Sequence, residues 1–184
     1  MIKPFPHSYW VVRGQLLAGC YPGDTDPAKA EAMAAGLVGA GIRQVINLME
    51  ENELDKKGNP FRPYWPLVAK QAEAAGTQVG FTRFPIPDLD VPSRAQMNKI
   101  LASIDAGIAA GRPVYLHCYG GTGRTGTVVC CWLVHRGLAS CGEAALAMIC
   151  RLRSRGGDPT YPGRISPETP AQIAMIRNWP APRR

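Results

Sequence analysis

A chain of 184 residues with 46% hydrophobic composition carries enough apolar material for one domain with a substantial core and leaves no room for a second. Its formal net charge of +7 suits an anionic ligand, and no stretch approaches the roughly 20 apolar residues of a membrane span. The six cysteines, at 20, 118, 130, 131, 141 and 150, show neither metal-ligand spacing nor a Cys-x-x-Cys pair. They read as reduced thiols, the last four buried in apolar or helical stretches, and no metal or cofactor is implied. The N-terminal region holds Pro4, Pro6 and His7 in place of an apolar signal core, so a cytoplasmic location is expected. The expectation is a single domain over 1–184, monomeric, with its core at about 8–178 and a frayed Pro-Arg tail at 180–184.

In chain order, Asp26-Pro27 is an N-cap and first-turn pair opening an alanine-rich helix that stops near Gly39-Ala40-Gly41. The run 43–49, rich in Val, Ile and Leu, reads as a core strand. The charged loop 50–63 reads as exposed and placed to border a site. A second helix is expected over 65–75, a strand over 77–86, and a helix capped by Ser93 and running to Ala110. Pro113-Val114-Tyr115-Leu116 is a short β-prone run, and 125–134 is apolar enough for a buried helix. Ser140-Cys141-Gly142-Glu143 has the form of a capping box, and Ser166-Pro167 that of the start of a last helix. Strand and helix in alternation imply an α/β fold, a mixed and mostly parallel central sheet flanked by helices.

Between the strand and the buried helix lies His117-Cys118-Tyr119-Gly120-Gly121-Thr122-Gly123-Arg124-Thr125. A strand-to-helix turn aims several backbone N–H groups into one concavity at a helix N-terminus, where unpaired donors and the helix dipole favour an anion. A cysteine at the rim of such a bowl is favoured as a thiolate, the nucleophilic form. Gly120, Gly121 and Gly123 let the backbone close around a phosphate, so Tyr119 to Gly123 form the expected cradle. Arg124 supplies a planar fork that binds two phosphate oxygens at once. Thr125 places a hydroxyl where it can hydrogen-bond the sulfur, and His117 is expected to fix the loop through its backbone.

The segment His117-Cys118-x5-Arg124-Thr125 resembles the signature of cysteine-dependent protein tyrosine and dual-specificity phosphatases. That resemblance implies metal-independent hydrolysis of phosphate monoesters through a phosphocysteine, with a phosphoprotein or phosphopeptide as substrate. It also implies a general acid upstream. Phe84-Pro85-Ile86-Pro87-Asp88-Leu89-Asp90 is similar to the family's acid loop, with Asp88 the expected acid and Asp90 the alternative. The likeness is nearest to the small atypical dual-specificity members and spans about 8–178, although only 84–93 and 117–126 are specific. No phosphotyrosine-clamping loop is recognisable, and the residues after Arg124 differ from the Ala-Tyr-Leu-Met run of members directed at MAP kinases.

Other candidates have plain structural readings beside the functional ones. Glu168 and Gln172 are placed to orient a hydrolytic water or simply to cap a helix. Cys20 is placed to form a disulfide with Cys118 on oxidation or to be an inert thiol. Arg151, Arg153, Arg155 and Arg164 form either one basic edge or an ordinary solvated face, so a nucleic-acid partner is not indicated. Among competing functions, low-molecular-weight phosphatases and arsenate reductases place the cysteine near the N-terminus with the acid downstream, the reverse of Asp88 before Cys118. The Gly-Arg-Thr-Gly ending opposes a rhodanese. RNA 5′-triphosphatase, phosphoinositide phosphatase and a non-catalytic phosphate reader remain as alternatives.

Overall fold

The computed structural model describes residues 3–154 and 166–181. Five strands, β1 (Ser8–Val12), β2 (Leu16–Gly19), β3 (Gln44–Asn47), β4 (Gly80–Arg83) and β5 (Val114–His117), form one sheet in the order β1-β2-β5-β3-β4. Only β1 and β2 pair antiparallel; β5 runs parallel to both β2 and β3, and β3 to β4, as the alternating pattern implies. In register, the last residue of β5, His117, faces Gly19 on one side and Asn47 on the other. The chain therefore leaves the middle of the sheet at the carboxyl ends of three parallel strands, where open α/β sheets form their crevices.

The helices are α1 (Pro27–Gly39), α2 (Trp65–Ala74), α3 (Arg94–Ala109), α4 (Gly123–His135), α5 (Gly142–Ser154) and α6 (Pro170–Arg177). On one face Ala34, Leu37 and Val38 of α1 and Val68 and Ala72 of α2 pack with Leu17, Val45 and Tyr115 of the sheet. The other face holds the larger cluster, in which Leu16, Ile46 and Leu116 meet Met97 and Ile100 of α3, Val128 to Val134 of α4, and Ile149 of α5. Helix α4 is buried from Gly123 to Val134, which explains an apolar run without a polar face.

Caps fall largely where the sequence places them. Asp26 accepts from the Ala28 amide at 2.9 Å and Ser93 from Gln96 at 3.2 Å. Two boundaries and one cap need correction. The last helix starts at Thr169-Pro170, not Ser166-Pro167, because Thr169 has a glutamine at N3 to complete a reciprocal capping box while the Ser166 hydroxyl donates to the Thr122 carbonyl at 2.8 Å. At the start of α5, Glu143 reaches across to Arg177 at 2.5 Å rather than back to Ser140. The strand expected over 77–86 is confined to Gly80–Arg83, although the Phe84 and Ile86 amides still donate to the Asn47 and Leu48 carbonyls at 2.9 and 3.0 Å. Cys141 and Cys150 are exposed, not buried; only Cys130 and Cys131 of the last four face the core.

Candidate active site

The loop between β5 and α4 closes on the end of β2. Gly121 has φ of 69°, and a Cβ there would lie 2.4 Å from the Gly19 carbonyl carbon and 2.6 Å from the Cys20 amide nitrogen, so only glycine fits. Tyr21 donates its amide to the Tyr119 carbonyl at 2.8 Å, and Leu48 donates to the His117 carbonyl at 2.9 Å, tying both ends of the loop to neighbouring segments. The Thr122 hydroxyl donates to the Gly120 carbonyl at 3.3 Å. Cys118 and Arg124 are buried in the floor, and Gly123 opens α4 beneath them.

His117 is tied to the loop backbone and to Tyr64. Its Nδ1 lies 3.1 Å from the Cys118 carbonyl and its Nε2 2.7 Å from the Tyr64 hydroxyl. A carbonyl only accepts, so Nδ1 carries the proton and Nε2 accepts from Tyr64. Burial is the main reason its pKa falls to about 3, and the ring is neutral at physiological pH. Burial likewise pushes the Tyr64 hydroxyl far up, so it remains a donor.

Arg124 is held from outside the loop. Its Nη1 donates to Glu53 Oε2 at 2.6 Å and to the Ile86 carbonyl at 3.0 Å; its Nη2 donates to Glu53 Oε1 at 2.7 Å and meets Asp88 Oδ1 at 2.9 Å. Burial opposes the charge, but the Glu53 bonds and the neighbouring carboxylates outweigh it and hold the guanidinium protonated. The loop 50–63 thus borders the site as expected, and Glu53 is a site residue that sequence reasoning passed over. The signal available was a run of glutamates just after a core strand. Asp88 stands at the mouth with its side chain 56% exposed and still touches Arg124. Asp90 instead accepts from the Val91 amide at 2.8 Å, and its carbonyl is bound by Gln172 at 3.2 Å.

Thr125 is buried, and its hydroxyl has no hydrogen-bond partner among the described residues; the bond to the Cys118 sulfur expected from the sequence is not formed. Glu168 and Gln172 are brought against the loop, since a Cβ on Gly123 would lie 2.5 Å from Glu168 Oε2 and 3.0 Å from Gln172 Nε2. The Gln172 amide is committed, its oxygen accepting from the Glu168 and Thr169 amides and its nitrogen donating to Asp90, so it acts as a cap and a strut. Arg155 and Arg164 lie outside the described residues, as does the 182–184 part of the tail. Arg153 does not belong to a solvated edge: it reaches the outer side of the loop, donating to the Gly121 carbonyl at 2.7 Å.

Beside the loop a cavity of about 290 Å³ is lined by Tyr21, Glu50, Phe61, Tyr64, Phe81 and Arg83 among others. Phe61 forms its wall toward the loop, its ring 4.9 Å from that of Tyr119 in an edge-on contact.

A central parallel sheet that delivers a buried Cys-x5-Arg loop to its carboxyl edge is the arrangement of cysteine-dependent phosphatases. Solved structures of that class superpose over nearly the whole chain. Tk-PTP in its active form is 26% identical with a TM-score of 0.66, covering 94% of this chain and 95% of its own. Kinase-associated phosphatase, in a form with its catalytic cysteine replaced by serine, is 21% identical with a TM-score of 0.69 and coverage of 94% and 93%. PTPMT1 in complex with PI(5)P is 23% identical with a TM-score of 0.66 and coverage of 94% on both sides. The chain belongs to the family described as "Polymorphic toxin system, DSP-PTPase phosphatase", whose model matches residues 21–138. Among the described residues no helix is long and apolar enough to cross a membrane.

Proposed function

We propose that this phosphatase hydrolyses phosphate monoesters, with phosphotyrosine in proteins as its preferred substrate, through a phosphocysteine on Cys118 and without a metal ion. The observation that carries the reading is the convergence of Cys118, Arg124 and the Asp88 carboxylate, 2.9 Å from Arg124, on one loop at a helix N-terminus. In the first step the Cys118 sulfur attacks phosphorus while Asp88 gives its proton to the departing ester oxygen; an S–P bond forms as the P–O bond breaks. In the second, water attacks the phosphocysteine, Asp88 takes its proton, and the thiolate leaves with phosphate released. Loop amides and Arg124 hold the equatorial oxygens throughout. The Thr125 hydroxyl, without a hydrogen-bond partner among the described residues, is the group assigned in this proposal to the leaving sulfur.

Asp88 is favoured over Asp90 because its side chain meets Arg124 whereas that of Asp90 turns back to its own loop. Both Nη atoms of Arg124 carry two contacts each, and the exposed Asp88 is the contact that an incoming phosphate displaces, moving the acid toward the ester oxygen. The aromatic wall of Phe61 and Tyr119 suits an aryl phosphate, and the cradle carries no lysine or second arginine for a more highly charged headgroup. The proposed setting is the cytoplasm, where reducing conditions keep the Cys118 sulfur unoxidised.

The test is a panel of phosphotyrosine, phosphoserine and phosphothreonine peptides, PI(5)P and RNA 5′-triphosphate at equal concentration. Rapid acid quench and intact-mass analysis would accompany turnover. Fastest release from phosphotyrosine, with one phosphoryl group on Cys118 at quench, is the expected result. Comparable turnover of PI(5)P or RNA triphosphate overturns the substrate, and turnover without the adduct overturns the mechanism.

A further inference from the structure

A cradle whose N–H groups point inward must turn its carbonyls outward, and in this loop those carbonyls are gripped from behind. Arg153, near the end of α5, donates from Nη1 to the Gly121 carbonyl at 2.7 Å and from Nη2 to the Thr122 hydroxyl at 3.1 Å. Its guanidinium lies over the ring of Tyr9 on β1, 5.7 Å from the centroid, so the arginine is braced on the sheet while it holds the loop. The Thr122 hydroxyl that receives it donates in turn to the Gly120 carbonyl, and the Thr122 carbonyl accepts from Ser166 at 2.8 Å. Successive peptides of the cradle, at 120, 121 and 122, are thereby fixed from their outer faces.

Resting on the phosphatase reading above, we propose that Arg153 is a positioning residue for the phosphate cradle, acting on substrate only through the peptides of Gly121 and Thr122. Two effects follow from the geometry. The fork fixes the plane of the Gly121–Thr122 peptide, whose N–H faces the opposite way from the bound carbonyl and so toward the anion. A positive charge behind an outward carbonyl also opposes the negative end of that dipole, leaving the interior of the bowl more positive. Lysine retains the charge and one donor but not the fork; methionine retains the bulk over Tyr9 and loses both.

The experiment compares wild type, Arg153→Lys, Arg153→Met and Arg151→Met, which alters an exposed residue on the same helix. Tungstate affinity by calorimetric titration and kcat/KM on p-nitrophenyl phosphate are measured, with thermal midpoints recorded. Arg153→Met is expected to weaken tungstate and lower kcat/KM together, each about tenfold to a hundredfold, the range for losing a charged hydrogen-bond donor. Arg153→Lys is expected to recover a good part of both, and Arg151→Met to match wild type. Wild-type tungstate affinity in Arg153→Met overturns the positioning role, as does a loss that lysine does not relieve and that scales only with a fallen midpoint. A wild type that neither binds tungstate nor turns over would defeat the phosphatase reading instead.

Discussion

Replacing Glu53 by alanine removes the acceptor of one hydrogen bond from each Nη atom of Arg124, at 2.6 and 2.7 Å, and leaves a guanidinium only 1% exposed with the Ile86 carbonyl and Asp88 as partners. Two charged hydrogen bonds at about 1.5–3 kcal/mol each set an upper bound near 3–6 kcal/mol, close to the cost of breaking a buried pair. Two contacts to Arg124 survive, and water can enter where the Glu53 side chain stood, so about half that bound, roughly 1.5–3 kcal/mol, is expected. For a domain of this size that corresponds to a fall in Tm of about 3–12 °C by calorimetry. Because Arg124 is then free to swing away from the cradle, kcat/KM on p-nitrophenyl phosphate should drop tenfold to a hundredfold, roughly 1.4–2.8 kcal/mol of transition-state stabilisation. Glu53→Gln keeps one acceptor oxygen and is expected to lose about half as much on both scales. A Glu53→Ala protein with unchanged Tm and unchanged kcat/KM would refute the idea that this carboxylate sets the arginine.

His117 folds with its pKa lowered, mainly by burial, to about 3 against an ordinary value of 6.5. Between those values the unfolded chain binds a proton that the folded chain does not, so stability is fully present above about pH 6.5 and is lost at up to roughly 1.4 kcal/mol per pH unit as pH falls toward 3. Denaturant titrations from pH 7 to 4 should show that slope in wild type and a shallower one in His117→Gln; parallel slopes would remove the histidine from the acid response. Gly121→Ala places a methyl on backbone atoms that cannot yield, at φ of 69°, and is expected to abolish phosphate release while costing at least about 1–3 kcal/mol. An active, fully stable Gly121→Ala would mean that the loop closes differently. Asp88→Asn removes the carboxylate that competes for Arg124, so it should bind tungstate more tightly than wild type although its turnover is slower. Weaker binding in that variant would contradict the displacement of Asp88 by phosphate.

Cys118 and Arg124 were legible because their chemistry is local: both sit on one strand-to-helix turn, and the glycines between them have few other uses. Asp88 was read from a short Pro-Asp segment, and its proposed preference over Asp90 rests on a single ion pair to Arg124. Glu53, Tyr64 and Arg153 were not legible. They reach the loop across separations of 71, 53 and 32 residues and matter only once parallel pairing has drawn the ends of β2, β3 and β5 together. Arg153 was read as part of a charged helix face because periodicity cannot say that one arginine of several folds back onto a loop. Ser166-Pro167 and Thr169-Pro170 are equivalent helix starts by composition; the choice is made by Gln172 at N3 and by the tertiary demand of Thr122 on the Ser166 hydroxyl. The exposure of Cys141 and Cys150 escaped for a related reason, since apolar neighbours in sequence do not report which side of a helix meets the sheet.

The most direct test of the central claim is the pH dependence of p-nitrophenyl phosphate hydrolysis by wild type, Cys118→Ser, Asp88→Asn and Asp90→Asn, in reductant and without added metal. A phosphocysteine mechanism with Asp88 as acid predicts no turnover in Cys118→Ser, a basic limb in wild type that Asp88→Asn flattens, and an Asp90→Asn profile shaped like wild type. Turnover that survives Cys118→Ser, or a basic limb that vanishes in Asp90→Asn and persists in Asp88→Asn, would contradict it.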